Sequence, residues 1–150
     1  MPRGLWLFVM ISSAVAILYL GLQLLVERLF RRLAGRISRQ FSPGDIAIMD
    51  RVNFAGRRRA GLKQLRGNGV LLLAKDKLCF FMLWPERQLE IPLSAITAVS
   101  TSRLFLGKVG LRPFLVIDFL GEEGPDAVAF AAKDAARWLA VLRRGEAPRR

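Results

Sequence analysis

Arg57, Arg58 and Arg59, with Lys63 and Arg66 in the same connection, form the densest run of cations in the polar part of this 150-residue chain. Guanidinium groups in such a run suit phosphate oxygens, which arginine can meet bidentately. The spacing fixes no coordinating pair, so the expected contact is electrostatic attraction and not a stereospecific pocket. A second run, Arg28, Arg31, Arg32, Arg36 and Arg39, has the spacing of one helical face. Other candidates fail on composition. Leu106-Gly107-Lys108-Val109 has the glycine and lysine of a phosphate loop, but Ser102 stands where the leading glycine belongs and Val109 where Ser or Thr is required. Arg103, Lys108 and Arg112 then read as a basic hairpin connection.

Histidine is absent, which removes the usual general base near neutral pH and the commonest metal ligand. The single cysteine, Cys79, sits in the apolar run Leu78-Cys79-Phe80-Phe81 and reads as a packing residue. Glu122, Glu123 and Asp126 are too local to supply two opposed acid/base groups or a cation shell, and read as turn solubility. No cofactor or metal is expected, and the chain is not expected to be an enzyme. The weakest alternative is a carboxylate-dependent enzyme assembled by folding, with Asp118 as a candidate acid.

The formal net charge is +12. Most of it lies between Arg28 and Arg66, where Asp45 and Asp50 are the only acids. A basic stretch beside a bilayer gains about 1 kcal/mol per Lys or Arg from anionic lipid, within a Debye length. Anionic lipid headgroups, a protein partner or both are therefore the expected contacts. Nucleic acid or another polyanion is the alternative, although no reading helix or exposed aromatic array accompanies the charge.

The elements that position these residues begin with an apolar run. Residues 5–26 carry no ionised side chain and reach about 33 Å as a helix, enough for a hydrocarbon core of about 30 Å. A cleaved secretory signal is the rival reading, since Ala14-Val15-Ala16 has the small-x-small pattern, but Ile17-Leu18-Tyr19-Leu20 carries the apolar run onward. Arg3 precedes the run and five arginines follow it, which places the C-terminal part in the cytoplasm of a single-pass protein of the cell membrane. Residues 27–42 form a basic amphipathic juxtamembrane segment. Leu29, Phe30, Leu33, Ala34, Ile37 and Phe41 share one face, and the five arginines occupy the opposite arc. The same apolar stripe would equally suit packing on the globular domain or on a second copy. Ser42-Pro43-Gly44 ends the helix.

Beyond that turn the period shortens. Strands are expected at Ile46 to Phe54, Gly69 to Ala74, Lys77 to Leu83, Gln88 to Ile91, Ile96 to Thr101, Phe114 to Phe119 and Ala127 to Phe130. Lys75-Asp76 is the expected tight hairpin connection. Lys133 to Arg144 has helical spacing, with Ala135, Trp138, Leu139 and Leu142 inward, Asp134 at its N-terminal end and Gly145 as its cap. Trp84, Trp138 and Phe119 read as packing residues. The domain occupies 45–144, and 145–150 form a flexible basic tail.

Several segments carry a resemblance. They are Gly67-Asn68-Gly69-Val70-Leu71-Leu72-Leu73 leading to Leu78-Cys79-Phe80-Phe81, then Leu89-Glu90-Ile91-Pro92-Leu93-Ser94-Ala95-Ile96. Gly107-Lys108, Arg112-Pro113-Phe114-Leu115-Val116 and Ala129-Phe130 with Trp138 continue it. Together they resemble the bacterial pleckstrin-homology-like and GRAM-like domains. The resemblance implies an antiparallel barrel of about seven strands capped by a C-terminal helix, mainly β, serving as a binding or adaptor module. It also implies that loops near the first strands meet phosphorylated headgroups. Lys75-Asp76-Lys77, where such domains often have a threonine-led turn, and the arginine-rich first connection depart from that pattern.

Overall fold

The computed structural model describes residues 3–61 and 66–146. The chain divides after Gln40 into two compact units. The first is a single helix, α1 (Arg3–Gln40), of 38 residues. It runs without a break through residue 26, where the apolar run gives way to the basic segment. No proline interrupts it, and Gly35 is tolerated with Ser38 Oγ donating to the Gly35 carbonyl at 3.1 Å. In its apolar half Leu7, Phe8, Ile17, Leu18 and Leu24 are all exposed. A helix apolar on every side belongs in lipid or in a core. This one carries a stretch long and apolar enough to cross a membrane.

The second unit opens with a 3-10 turn, Pro43–Asp45, and continues as seven antiparallel strands. These are β1 (Ile46–Arg57), β2 (Gly67–Ala74), β3 (Lys77–Met82), β4 (Arg87–Pro92), β5 (Ile96–Phe105), β6 (Lys108–Gly121) and β7 (Gly124–Ala132); helix α2 (Ala135–Glu146) follows. They form one sheet in the order β4-β3-β2-β1-β7-β6-β5. The long β1 joins the two halves, pairing Val52 with Gly69 of β2 and Phe54 with Phe130 of β7. The sheet is open, and not a fully closed barrel, because β4 and β5 stand at opposite ends of the strand order. Pro92 ends β4 without an N–H to donate, and a 3-10 turn, Leu93–Ala95, carries the chain across to β5.

Alternation along the strands builds the core. Leu71, Leu73, Leu78, Phe80, Ile91, Leu115, Ile117, Val128 and Phe130 point to one face, where Trp138 and Leu142 of α2 join them. Phe80 stands at the centre of the aromatic packing, 5.5 Å from Phe54 and 5.0 Å from Phe130 between ring centroids. The indole N–H of Trp138 donates to Asp50 Oδ2 at 2.9 Å, tying α2 to β1. Asp134 caps α2 by accepting from the Arg137 N–H at 2.9 Å. The helix continues through Gly145 to Glu146, so that glycine does not cap it. On the other face Ala55, Phe105, Phe114, Val116, Ala127 and Ala129 form a second, smaller cluster.

Six of the seven strands exceed their expected bounds, the largest extension being at the start of β6. β5 continues to Phe105 and β6 starts at Lys108, so residues 102–113 form a projecting hairpin. Glycine, proline and cations interrupt the alternation there, and the tip is closed by the Leu104–Val109 and Phe105–Lys108 pairs.

Candidate functional site

The arginine run lies where β1 leaves the sheet. Arg57 closes the strand, and the Arg58 N–H still pairs with the Ala127 carbonyl of β7 at 2.7 Å. This pairing holds the run against the β6–β7 hairpin, whose acids receive it. Asp126 is buried and accepts three donors: the Arg57 Nε, the Arg59 backbone N–H at 3.0 Å and its neighbour Ala127's N–H at 2.8 Å. Burial pushes the Asp126 carboxyl up, but the Arg57 guanidinium and the two backbone donors outweigh it and hold the group below the usual carboxylate range. Arg58 Nη1 lies 3.3 Å from Asp118 Oδ1, and Arg59 Nη1 lies 3.5 Å from Glu123 Oε2. The Arg57 guanidinium also stands 5.6 Å over the Phe119 ring.

The three arginines are thus brought together and each is matched by an acid. Their neutralisation bears directly on ligand choice. Asp126 is a buried brace and not the solubilising turn acid that its neighbours suggested. Asp118, the candidate acid of an active site, is occupied with Arg58, and its side chain is 31% exposed. These pairings join residues some 60 to 69 positions apart, so no local spacing announces them.

Beside the braced arginines lies a groove of about 690 Å³. It runs between β4 and the β6–β7 turn and is lined by Arg57, Arg59, Leu89, Phe119, Leu120 and Glu123 among others. The Arg57 and Arg59 side chains keep 39% and 41% of their surface exposed, so both still present charge to solvent. Glu90 on the opposite wall is held by Lys77 Nζ at 2.8 Å and Gln88 Nε2 at 2.6 Å. Mixed charge over an apolar floor characterises the groove.

The remaining basic residues fall elsewhere. Arg66 lines a separate hollow of about 270 Å³ with Asn53, Asn68, Leu83 and Trp84. Lys63 lies outside the described residues. Arg28, Arg31, Arg32, Arg36 and Arg39 belong to α1, where all but the half-buried Arg36 are exposed. Lys108 donates to the Ala55 carbonyl at 2.7 Å, and burial followed by the Arg66 charge pushes its amine down.

Of the three aromatic residues expected to pack, Trp138 and Phe119 are buried, but Trp84 is 74% exposed. It sits in the turn after β3, beyond the last core-facing position of the strand. Cys79 is buried, and burial together with Glu90 pushes its thiol up to about 11. Among the described residues no three acidic or cysteine side chains stand together as a metal-holding group.

No family model matches the chain, and comparison with curated proteins gives no match. Among solved structures, the C-terminal domain of an unknown protein from Leishmania infantum is similar at a TM-score of 0.51 and 12% identity, covering 80% of this chain and 96% of that one. A complex of human RhoA with the DH/PH fragment of PDZRHOGEF matches at a TM-score of 0.47 and 16% identity. This second match covers 67% of this chain and 28% of that one. The first likeness concerns the fold alone.

Proposed function

We propose that the chain is a single-pass membrane-anchored binding module of pleckstrin-homology-like architecture, with its second unit in the cytoplasm. On this reading α1 spans the bilayer, and Arg28, Arg31, Arg32, Arg36 and Arg39 draw the juxtamembrane stretch toward anionic headgroups. The groove beside Arg57 and Arg59 receives an extended segment of a protein partner. A tethered module needs little intrinsic affinity, because the anchor supplies a high local concentration.

The observation that carries the groove assignment is the matching of Arg57, Arg58 and Arg59 to Asp126, Asp118 and Glu123. A polyanion would have to compete with three carboxylates for these cations, which disfavours nucleic acid and a stereospecific phosphate site. A peptide offers groups of both signs to a groove of both signs, with side chains for Leu89, Phe119 and Leu120. The reading is non-catalytic: the acids at the groove serve to brace cations.

Photo-crosslinking from position 120 tests it, since Leu120 lines the groove and is 58% exposed. With the full chain in its membrane, the expected product is a discrete protein adduct absent from a crosslinker at Lys133. Lipid adducts alone, or the same products from both positions, would overturn the groove assignment.

A further inference from the structure

The β5–β6 hairpin presents Leu104, Val109 and Leu111 to solvent at 59%, 78% and 101% exposure. Its geometry holds them there. Leu104 pairs with Val109 and Phe105 with Lys108 around a tight turn, where Leu106 and Gly107 both have positive φ, 49° and 71°. The register then jumps, and the next pair is Ser102 with Phe114, leaving residues 110–113 bulged out of the ladder. Ser102 Oγ fixes the bulge by donating to the Leu104 carbonyl at 2.8 Å and accepting from its N–H at 3.2 Å. Inward, Phe105 and Phe114 bury against Ala55, Ala127 and Ala129, and Lys108 locks onto the Ala55 carbonyl. The outward apolar side chains therefore stand on a clamped scaffold.

Arg103 and Arg112 flank them, both exposed, and no acidic residue occurs between Glu90 and Asp118. Apolar tips ringed by cations match the chemistry of an anionic bilayer surface, where aliphatic groups enter the headgroup and acyl boundary and arginines meet phosphates. A symmetric pairing of two copies through this hairpin would instead set like charges together.

We propose that the β5–β6 hairpin inserts shallowly into an anionic bilayer surface, with Leu104, Val109 and Leu111 entering the boundary region and Arg103 and Arg112 pairing with lipid phosphates. The proposal rests on the reading of α1 as a span, which holds the hairpin near lipid. It assigns lipid contact to a site separate from the groove.

The test uses the full chain carrying Val109→Cys, labelled with an environment-sensitive nitrobenzoxadiazole dye and reconstituted in vesicles of phosphatidylcholine with phosphatidylglycerol. Buried Cys79 competes poorly for the dye. The expected emission is blue-shifted and quenched by lipid bearing a spin label high on its acyl chain, while a label at Lys133→Cys stays water-like. Arg103→Ser and Arg112→Ser should each weaken insertion about fivefold, the equivalent of about 1 kcal/mol per cation. A water-like label at position 109 in protein that floats with the vesicles would overturn the hairpin contact alone. A blue-shifted label beyond reach of the lipid quencher but sensitive to dilution would overturn it in favour of a second copy. Failure to float would overturn the span on which the proposal rests.

Discussion

Replacing Asp126 by asparagine keeps the shape of the side chain and removes the charge that braces the arginine corner. The carboxylate now accepts from Arg57 Nε and from the N–H groups of Arg59 and Ala127. An amide offers one oxygen, and its NH2 would face a donor, so at least one of the three loses its acceptor at this side chain. Each lost hydrogen bond of this kind costs roughly 1 kcal/mol. The Arg57 ion pair adds less than a fully buried pair would, because the guanidinium side keeps 39% of its surface in solvent. The expected loss is about 2 kcal/mol, and about 3 kcal/mol for Asp126→Ala, which removes every acceptor. For a domain of this size 2 kcal/mol lowers the midpoint by roughly 8–16 °C. Thermal melting of the full chain in detergent, followed by tryptophan fluorescence, measures it.

The same carboxylate fixes a pH dependence. Its pKa is lower in the folded state, so the folded protein holds fewer protons there than the unfolded chain as pH falls toward 4. The stability it contributes is full above the unfolded value, about 3.9, and disappears as pH drops through the lower folded value. Wild type should lose this increment on acidification below about pH 4, and Asp126→Asn should not. A variant that melts within 2 °C of wild type at neutral pH, or that matches its acid sensitivity, would refute the brace.

Gly69→Ala should destabilise strongly, by roughly 2–3 kcal/mol, because a Cβ there would fall 2.6 Å from the Phe80 ring and closer still to the Phe81 carbonyl, which is backbone. Loss of soluble expression or a large drop in melting temperature checks it. Trp138→Phe should keep most of the buried volume and lose the bond to Asp50 at 2.9 Å, costing roughly 1–2 kcal/mol by chemical denaturation. Cys79, with its thiol pushed up to about 11, should react with a disulfide reagent at pH 8 far more slowly in the folded chain than in denaturant. Equal rates in both states would contradict its burial.

Much of the fold was legible because its signals are local. Alternation at Leu71-Leu73 and Leu78-Phe80, the Lys75-Asp76 connection and the helical spacing of Trp138 and Leu142 each appear within a few residues, and the strands and α2 lie where those signals put them. The boundaries that moved did so for tertiary reasons. The hairpin at residues 102–113 lacks clean alternation yet is held by the Leu104–Val109 and Phe105–Lys108 pairs at its tip and by Phe105 and Phe114 on a second cluster. The strand pattern around Trp84 predicts a packing residue, but it stands in the turn two residues beyond the end of β3 and is exposed. The site was half legible. Cation density announced Arg57, Arg58 and Arg59, whereas their neutralisation depends on the β1–β7 and β6–β7 pairings that bring Asp118, Glu123 and Asp126 alongside.

The central claim is that α1 anchors the second unit on the cytoplasmic face of a membrane. A tandem reporter fused after Arg150, a fluorescent protein that matures in the cytoplasm joined to a phosphatase active only outside it, tests that claim directly. The expected result is fluorescence confined to the membrane with a silent phosphatase. An active phosphatase, or fluorescence spread through the soluble fraction, would contradict it.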